Sequence, residues 1–399
     1  VYERRDIIRL YAARAARGFG DGFAVIILPA YLAEAGFDAF QVGIVATAAL
    51  LGTAAATLAI GHLGARHDLR NLLLIGACVM IGSGLAFPNV EHISAVMLVA
   101  FLGTMNPSTG DLGMLVPLEH AMIARTVVDE DRTRAFANYS LIGALATAAG
   151  ALAAAAPDLL GTLGLDKIAS LKLLFYLYAA LGAVSVFLYA GLPHAEMKAA
   201  APTPALGPSR GIVYRLAALF SVDAFAGGFA VQSLVALWLF ERFDLSLTAA
   251  SVFFFWANVL AAFSYPVAAK LAKRVGLVNT MVWTHIPSSL CLIVAAFAPN
   301  LGVVLALLLV RAALSQMDVP TRTSYVMAVV TPPERPAAAS VTAVPRSLAS
   351  AVSPAIAGAL LSTSAAGLPL VICGCLKIAY DFALLYSFRH IKPPEERLD

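Results

Sequence analysis

The stretch GFAVIILPAYLAEAGFD at residues 22–38 has a counterpart, GFAVQSLVALWLFERFD, at residues 228–244. In both, Gly-Phe-Ala-Val opens an apolar run and Phe-Asp closes it, with an offset of 206 residues. Working outward, Gly61-x-Leu63-x-x-Arg66-x-x-Leu69-x-Asn71 recurs as Ala269-x-Leu271-x-x-Arg274-x-x-Leu277-x-Asn279, and Val116-Pro117-x-Glu119 recurs as Val319-Pro320-x-Arg322. All the offsets lie between 203 and 208. One such match is chance; a series in constant register indicates a duplicated unit of six spans, an architecture that membrane carriers use.

Composition agrees with a bilayer as solvent. Of 399 residues 60% are apolar and only 13% charged, against roughly 25% charge in soluble domains. Such a surface is too poor in charge to face water and well suited to face lipid. The net charge of +3 argues against a nucleic-acid partner. Cys78, Cys291, Cys373 and Cys375 have no metal-ligand spacing and read as free thiols. No phosphate-binding loop, no His-Glu-x-x-His and no Gly-x-Ser-x-Gly is present, so neither an ATP-driven pump nor an enzyme is expected, and no metal or cofactor is.

A span needs about 20 predominantly apolar residues. Candidates lie near 8–34, 40–62, 71–88, 93–124, 135–157, 169–191, 212–241, 246–269, 278–298, 301–330, 337–362 and 367–388. The expected fold is therefore an all-α membrane protein with twelve transmembrane helices in two pseudo-symmetric six-helix bundles, residues 1–191 and 212–399. The segment 192–211, rich in Pro, Ala and Gly, reads as a cytoplasmic linker. Alternating the loops from a cytoplasmic N-terminus puts Arg66, Arg70, Arg125, Arg132, Arg134, Lys273, Arg274, Arg335 and Arg389 inside, and little beyond Lys167 and Arg242 outside. That bias places both termini in the cytoplasm, in the inner membrane of a bacterium.

Over its full length the chain resembles the major facilitator superfamily. The loop GHLGARHDLRN, Gly61 to Asn71, carries the likeness: Gly61, Leu63, Arg66 and Arg70 fit the family pattern, while Ala65 replaces its acidic residue and Asp68 its second glycine. The resemblance implies that Gly61, Arg66, Asp68 and Arg70 form a loop that latches the cytoplasmic side. Two antiporter signatures of the family are missing. The fourth span offers Glu119 instead of an arginine, and the fifth has Gly143 and Gly150 but no Gly-Pro.

An ionisable group in hydrocarbon is costly, so it faces the bundle interior and has a partner or a task. Asp21, Glu119, Asp223, Asp318 and Asp381 are the candidate proton carriers. Arg17, Asn106, Asp111, Asn258, Arg311, Gln316, Arg322, Arg346 and Lys377 are the candidates for solute binding or gating. Arg17/Asp21, Asp318/Arg322 and Lys377/Asp381 are spaced i,i+4 and share a helix face. Glu119 and Arg322 hold equivalent repeat positions and are expected to face one another. The prolines 107, 117 and 320 mark breaks in the fourth and tenth spans, tolerated only where a helix lines a cavity or protein. The expected function is secondary transport of a small solute by a monomer, with proton-coupled export as the first reading and a small anion held by the arginines as the second.

Overall fold

The computed structural model describes residues 4–63, 67–108, 113–127, 129–194, 206–331, 334–363 and 366–391. Of the expected site residues, Asp111 and Arg66 lie outside these. Among the described residues every element is helical. The α-helices are α1 (Arg4–Glu34), α2 (Ala39–Leu63), α3 (Leu69–Ala86), α4 (Ile93–Leu102), α5 (Leu115–Thr126), α6 (Asp129–Ala153), α7 (Ala156–Gly161) and α8 (Lys167–Ala190). They continue as α9 (Arg210–Gly228), α10 (Gln232–Phe243), α11 (Leu247–Val275), α12 (Leu277–Phe297), α13 (Leu301–Ser315), α14 (Asp318–Val329), α15 (Arg335–Leu361) and α16 (Leu368–Phe388). Ten segments are long and apolar enough to cross a membrane; α9 with α10 and α13 with α14 each count as one. The described part of the chain is thus an all-helical integral membrane protein.

By contacts the chain divides into residues 1–200 with 231–258, and residues 201–230 with 259–399. In the first unit α1 packs on α6 and α8, α3 on α8 and α4, and α2 on α4. The second unit repeats the scheme: α9 packs on α15 and α16, and α12 on α16 and α13. The repeated glycine explains why the packing recurs. A Cβ on Gly22 would overlap the Thr147 carbonyl oxygen of α6, and one on Gly228 would overlap the Ser353 hydroxyl of α15. Small residues let helices approach closely where the hydrophobic effect gives no drive, and both units use this repeated position for a close crossing.

The breaks sit just before the repeated prolines. Pro117 and Pro320 are the third residues of α5 and α14, positions in the first turn where a missing N–H costs little. The described non-helical backbone falls ahead of them, at 103–108 and 113–114 and at Gln316–Met317. Backbone freed by a break must find a partner inside the bilayer. In the first unit the Ser233 amide, at the start of α10, donates to the Pro107 carbonyl at 3.0 Å.

Outside the spans, the entrance to α9 is tied down by one carboxylate. Glu334 is buried and accepts from the Gly207 amide, the Ser209 amide at 3.4 Å, the Ser209 hydroxyl at 2.5 Å and the Thr331 hydroxyl at 2.5 Å. These donors hold its carboxyl down at about 2, because each favours the ionised form. The stabilisation is therefore full above the ordinary carboxyl value of 4.5 and is lost only as pH falls towards about 2. Glu334→Gln is expected to lower the unfolding temperature of the detergent-solubilised chain by a few degrees, with the same offset at pH 5 and pH 8; scanning fluorimetry at both values checks it.

Candidate functional site

Each unit holds a group of buried charges, built on equivalent helices. In the first unit α1 supplies Arg14, Arg17 and Asp21, α5 supplies Glu119, and α6 and α8 supply tyrosines. The Glu119 side chain has no exposed surface. Arg17 forms an ion pair with its Oε2, the Tyr139 hydroxyl donates to the same oxygen, and the Tyr189 hydroxyl donates to Oε1 at 2.6 Å. Arg14 lies over the Tyr139 ring, 5.2 Å from its centre. A buried carboxylate is tolerable when cation and hydrogen bonds together replace its water, and Glu119 has both.

Arg17 thus finds its counter-charge on another helix and not at Asp21, although the i,i+4 spacing puts both on one face of α1. Among the described residues Asp21 accepts from the Tyr178 hydroxyl alone, at 3.4 Å, and Tyr178 also bonds Thr104 at 3.0 Å. Among the described residues no cation lies within ion-pair distance of Asp21. Arg17, Asp21, Thr53, Thr104, Met80 and Tyr178 line a cavity of about 30 Å³, room for a water molecule. His120 turns away from Glu119 and packs edge-on against Phe136 and Tyr139, at 5.0 and 4.9 Å, as adjacent positions on a helix must diverge.

In the second unit Asp223 of α9 takes the central place. Lys377 of α16 donates to its Oδ1 at 2.6 Å, and Arg322 of α14 to its Oδ2 at 3.1 Å. Arg322 is shared with Asp318 at 3.0 Å, one turn away on its own helix. Lys377 and Asp381 do not pair directly. His285 of α12 stands between them, its Nδ1 at 2.9 Å from Asp381 and its Nε2 at 3.3 Å from Lys377. An ammonium only donates, so Nε2 accepts and the Nδ1–H donates to Asp381. Glu119 and Arg322, expected to face one another, each find their partners within their own unit. Full burial explains it: neither side chain is more than 6% exposed, and each is already saturated by neighbours.

The two groups are the same device with its polarity inverted. The offset of 206 carries Arg17 onto Asp223, and that of 203 carries Glu119 onto Arg322. The first unit has its cation on α1 and its carboxylate on α5; the second has its carboxylate on α9 and its cation on α14.

This duplicated all-helical arrangement has known counterparts. The family model described as Major Facilitator Superfamily matches residues 10–256 and again 217–399. The chain belongs to the major facilitator superfamily. An uncharacterized membrane protein of Saccharomyces cerevisiae is 23% identical over 96% of this chain and 94% of its own length. The solved nucleoside transporter NupG aligns with a TM-score of 0.77 at 13% identity, covering 96% of this chain and all of its own. A bacterial homolog of the human lysosomal transporter Spinster, in an inward-facing and unoccupied conformation, aligns at 0.74 and 14% identity, covering 98% and 99%. At such identities the likeness is one of fold.

The remaining candidates of this superfamily member are placed as follows. Asn106 caps its own turn, accepting from the Ser108 amide at 3.0 Å. Asn258 accepts from Gln232 at 3.2 Å. Gln316 sits in the α13–α14 break, and Arg311 and Arg346 are partly buried on α13 and α15. Gly61 lies in the last turn of α2. Asp68 caps α3 by accepting from the Arg70 amide at 3.0 Å and pairs with His194; Arg70 reaches His194 at 2.8 Å and the Ala190 carbonyl at 2.6 Å. The loop is thereby tied to the end of α8. Tyr178, Tyr189 and His285 were not among the expected site residues. A tyrosine or histidine inside a span is usually packing, and only the carboxylates beside these three distinguish them.

Removing one partner of a buried pair strands the other charge, at a cost of about 3–5 kcal/mol. Glu119→Gln is therefore expected to destabilise the protein strongly, and Arg17→Glu combined with Glu119→Arg to recover most of the loss, since the second unit already carries the inverted order. Fluorescence-detected size-exclusion after heating reads both.

Proposed function

We propose that this protein is a carrier, not an enzyme, that moves a small solute by alternating access and couples the movement to protons, in the direction of export. Family membership and the transporter fold support carriage. The observation that carries proton coupling is Asp21. Glu119, Asp223 and Asp318 each have an arginine or lysine within 3.1 Å or less, and such pairs hold their charge. Asp21 has a hydroxyl and a water-sized cavity instead. A lone carboxylate inside a membrane is expensive, and taking up a proton removes the expense. Asp381, held by His285 with no arginine or lysine in contact, is the corresponding group of the second unit. Two carboxylates that exchange protons, beside three that do not, give a solute-dependent conformational change something to release and rebind.

In this reading α1 and the α4–α5 pair join the ten apolar segments to make twelve crossings, in halves 1–191 and 212–399 joined by the linker 192–211. The repeated packing of α1, α6 and α8 by α9, α15 and α16 supports that division. Loop charge supports cytoplasmic termini, in a bacterial inner membrane, and the ties of Asp68 and Arg70 to the end of α8 support a latching role for that loop. The chain acts as a monomer with the bilayer, the solute and protons as its partners, and with no nucleic acid.

Proteoliposomes loaded with a pH-sensitive dye and screened against a solute panel test the reading. A transported solute is expected to drive proton flux in the unaltered protein, and Asp21→Asn to abolish that flux by at least about tenfold, a loss of about 1.4 kcal/mol of coupling, while solute still binds. Solute flux that ignores an imposed pH gradient refutes proton coupling.

A further inference from the structure

Within the spans of the second unit the charges that are not exposed do not cancel. They are Arg311, Arg322, Arg346 and Lys377 against Asp223, Asp318 and Asp381. Arg322 and Lys377 are accounted for by Asp223 and Asp318. Arg346 is not. Its Nε is buried with no hydrogen-bond partner, and among the described residues no carboxylate lies within ion-pair distance of it.

A second orphan stands nearby. Tyr380 of α16 is 2% exposed, and its hydroxyl is buried without a partner. It lies within electrostatic range of Arg346. Lys377, one turn before it on α16, spends its contacts on Asp223 and His285 and has a third N–H to give. Native proteins leave few buried polar groups unsatisfied, and each exception asks for an explanation. Here both unsatisfied groups can donate, and they lie on α15 and α16 of one unit within electrostatic range of one another. What is missing is an acceptor with negative charge.

We propose that the transported solute carries an oxyanion, a carboxylate or a phosphate, and that Arg346 receives it, with Tyr380 as second donor. This rests on the reading of the protein as a carrier and adds the chemical class of its cargo. A guanidinium fork matches the two oxygens of such a group, whereas a neutral sugar or an organic cation leaves the charge of Arg346 unanswered. The position also suits a moving contact. Arg346 follows Pro345 inside α15, and Pro354 lies two turns on; proline interrupts the hydrogen-bond ladder and lets a helix bend there. Arg17 and Arg322, the other arginines expected to hold an anion, are already occupied by carboxylates, so the class of solute is read by one arginine and not by three.

The test uses the full chain in phosphatidylcholine nanodiscs at neutral pH, followed by thermal unfolding. Without ligand, Arg346→Gln is expected to unfold at the same temperature as the unaltered protein or higher, because it removes an unpaired charge. Benzoate, succinate and inorganic phosphate are added at about 10 mM, with benzyl alcohol and xylitol as uncharged controls. At least one anion is expected to raise the unfolding temperature by about 2–3 °C. The shift is expected to vanish in Arg346→Gln, to persist in part in Arg346→Lys and to shrink in Tyr380→Phe. An Arg346-dependent shift produced by phosphatidylglycerol in the nanodisc, and by no soluble anion, keeps the oxyanion site but makes a lipid headgroup its ligand and overturns the assignment to the solute. Lower stability of Arg346→Gln without ligand, or the absence of any Arg346-dependent shift, overturns the site itself. No proton gradient enters this measurement, so it stands or falls apart from the flux experiment on Asp21.

Discussion

A charge inside hydrocarbon has to be answered, and nearly every structural feature of this chain follows from how its interior charges are answered. Water is absent, the dielectric is low, and an unpaired ion costs far more than a poorly packed methyl group. The Arg17–Glu119 and Asp223–Arg322 pairs meet that demand once in each unit. Each joins the first helix of a unit to the helix that begins just before Pro117 or Pro320, and each is closed in by further donors or partners. The polarity inversion shows that the position requires a pair of opposite charges and is indifferent to which helix carries which.

The neutral contacts serve the same end. Gly22 and Gly228 bring α1 against α6 and α9 against α15 at distances where any side chain would collide. The charged residues lie about one and a half turns before these glycines, so the close crossing sets how deep and at what rotation Arg17 and Asp223 enter the interior. α5 and α14 then begin just ahead of Pro117 and Pro320, with Glu119 and Arg322 one turn inside each. Glycine, break and ion pair form one recurring arrangement, and the sequence repeat is its trace.

Much of this arrangement was legible in the amino-acid sequence, and the limit has a physical form. Hydrophobic length marks ten segments that can cross a membrane, and the repeat marks the equivalent helices α1 and α9, because both are properties of the chain read in order. Helical periodicity also places Arg322 beside Asp318. It does not say that Arg17 turns from Asp21 to Glu119, or that Lys377 leaves Asp381 for Asp223. Those choices depend on which helices approach and how they are rotated, and spacing along one helix carries no such information. His285 illustrates the point: alone it is a histidine in an apolar run, and only the fold puts Lys377 on one nitrogen and Asp381 on the other. The equivalence of Arg17 with Asp223 was within reach, since the offset that aligns the two Gly-Phe-Ala-Val runs also aligns these two residues.

In the proposed reading, what distinguishes a working group from a structural one in this interior is whether its charge is answered by another charge. Paired carboxylates then hold the helices, and Asp21, which has a hydroxyl and a small cavity in place of an ion-pair partner, exchanges a proton. Infrared difference spectroscopy of the full chain in lipid, between mildly alkaline and mildly acidic pH, tests this distinction directly. The account predicts carbonyl bands of protonated carboxylic acids in the unaltered protein, of which the Asp21 component is lost in Asp21→Asn and the Asp381 component remains. Carbonyl bands that are all unchanged in Asp21→Asn contradict it.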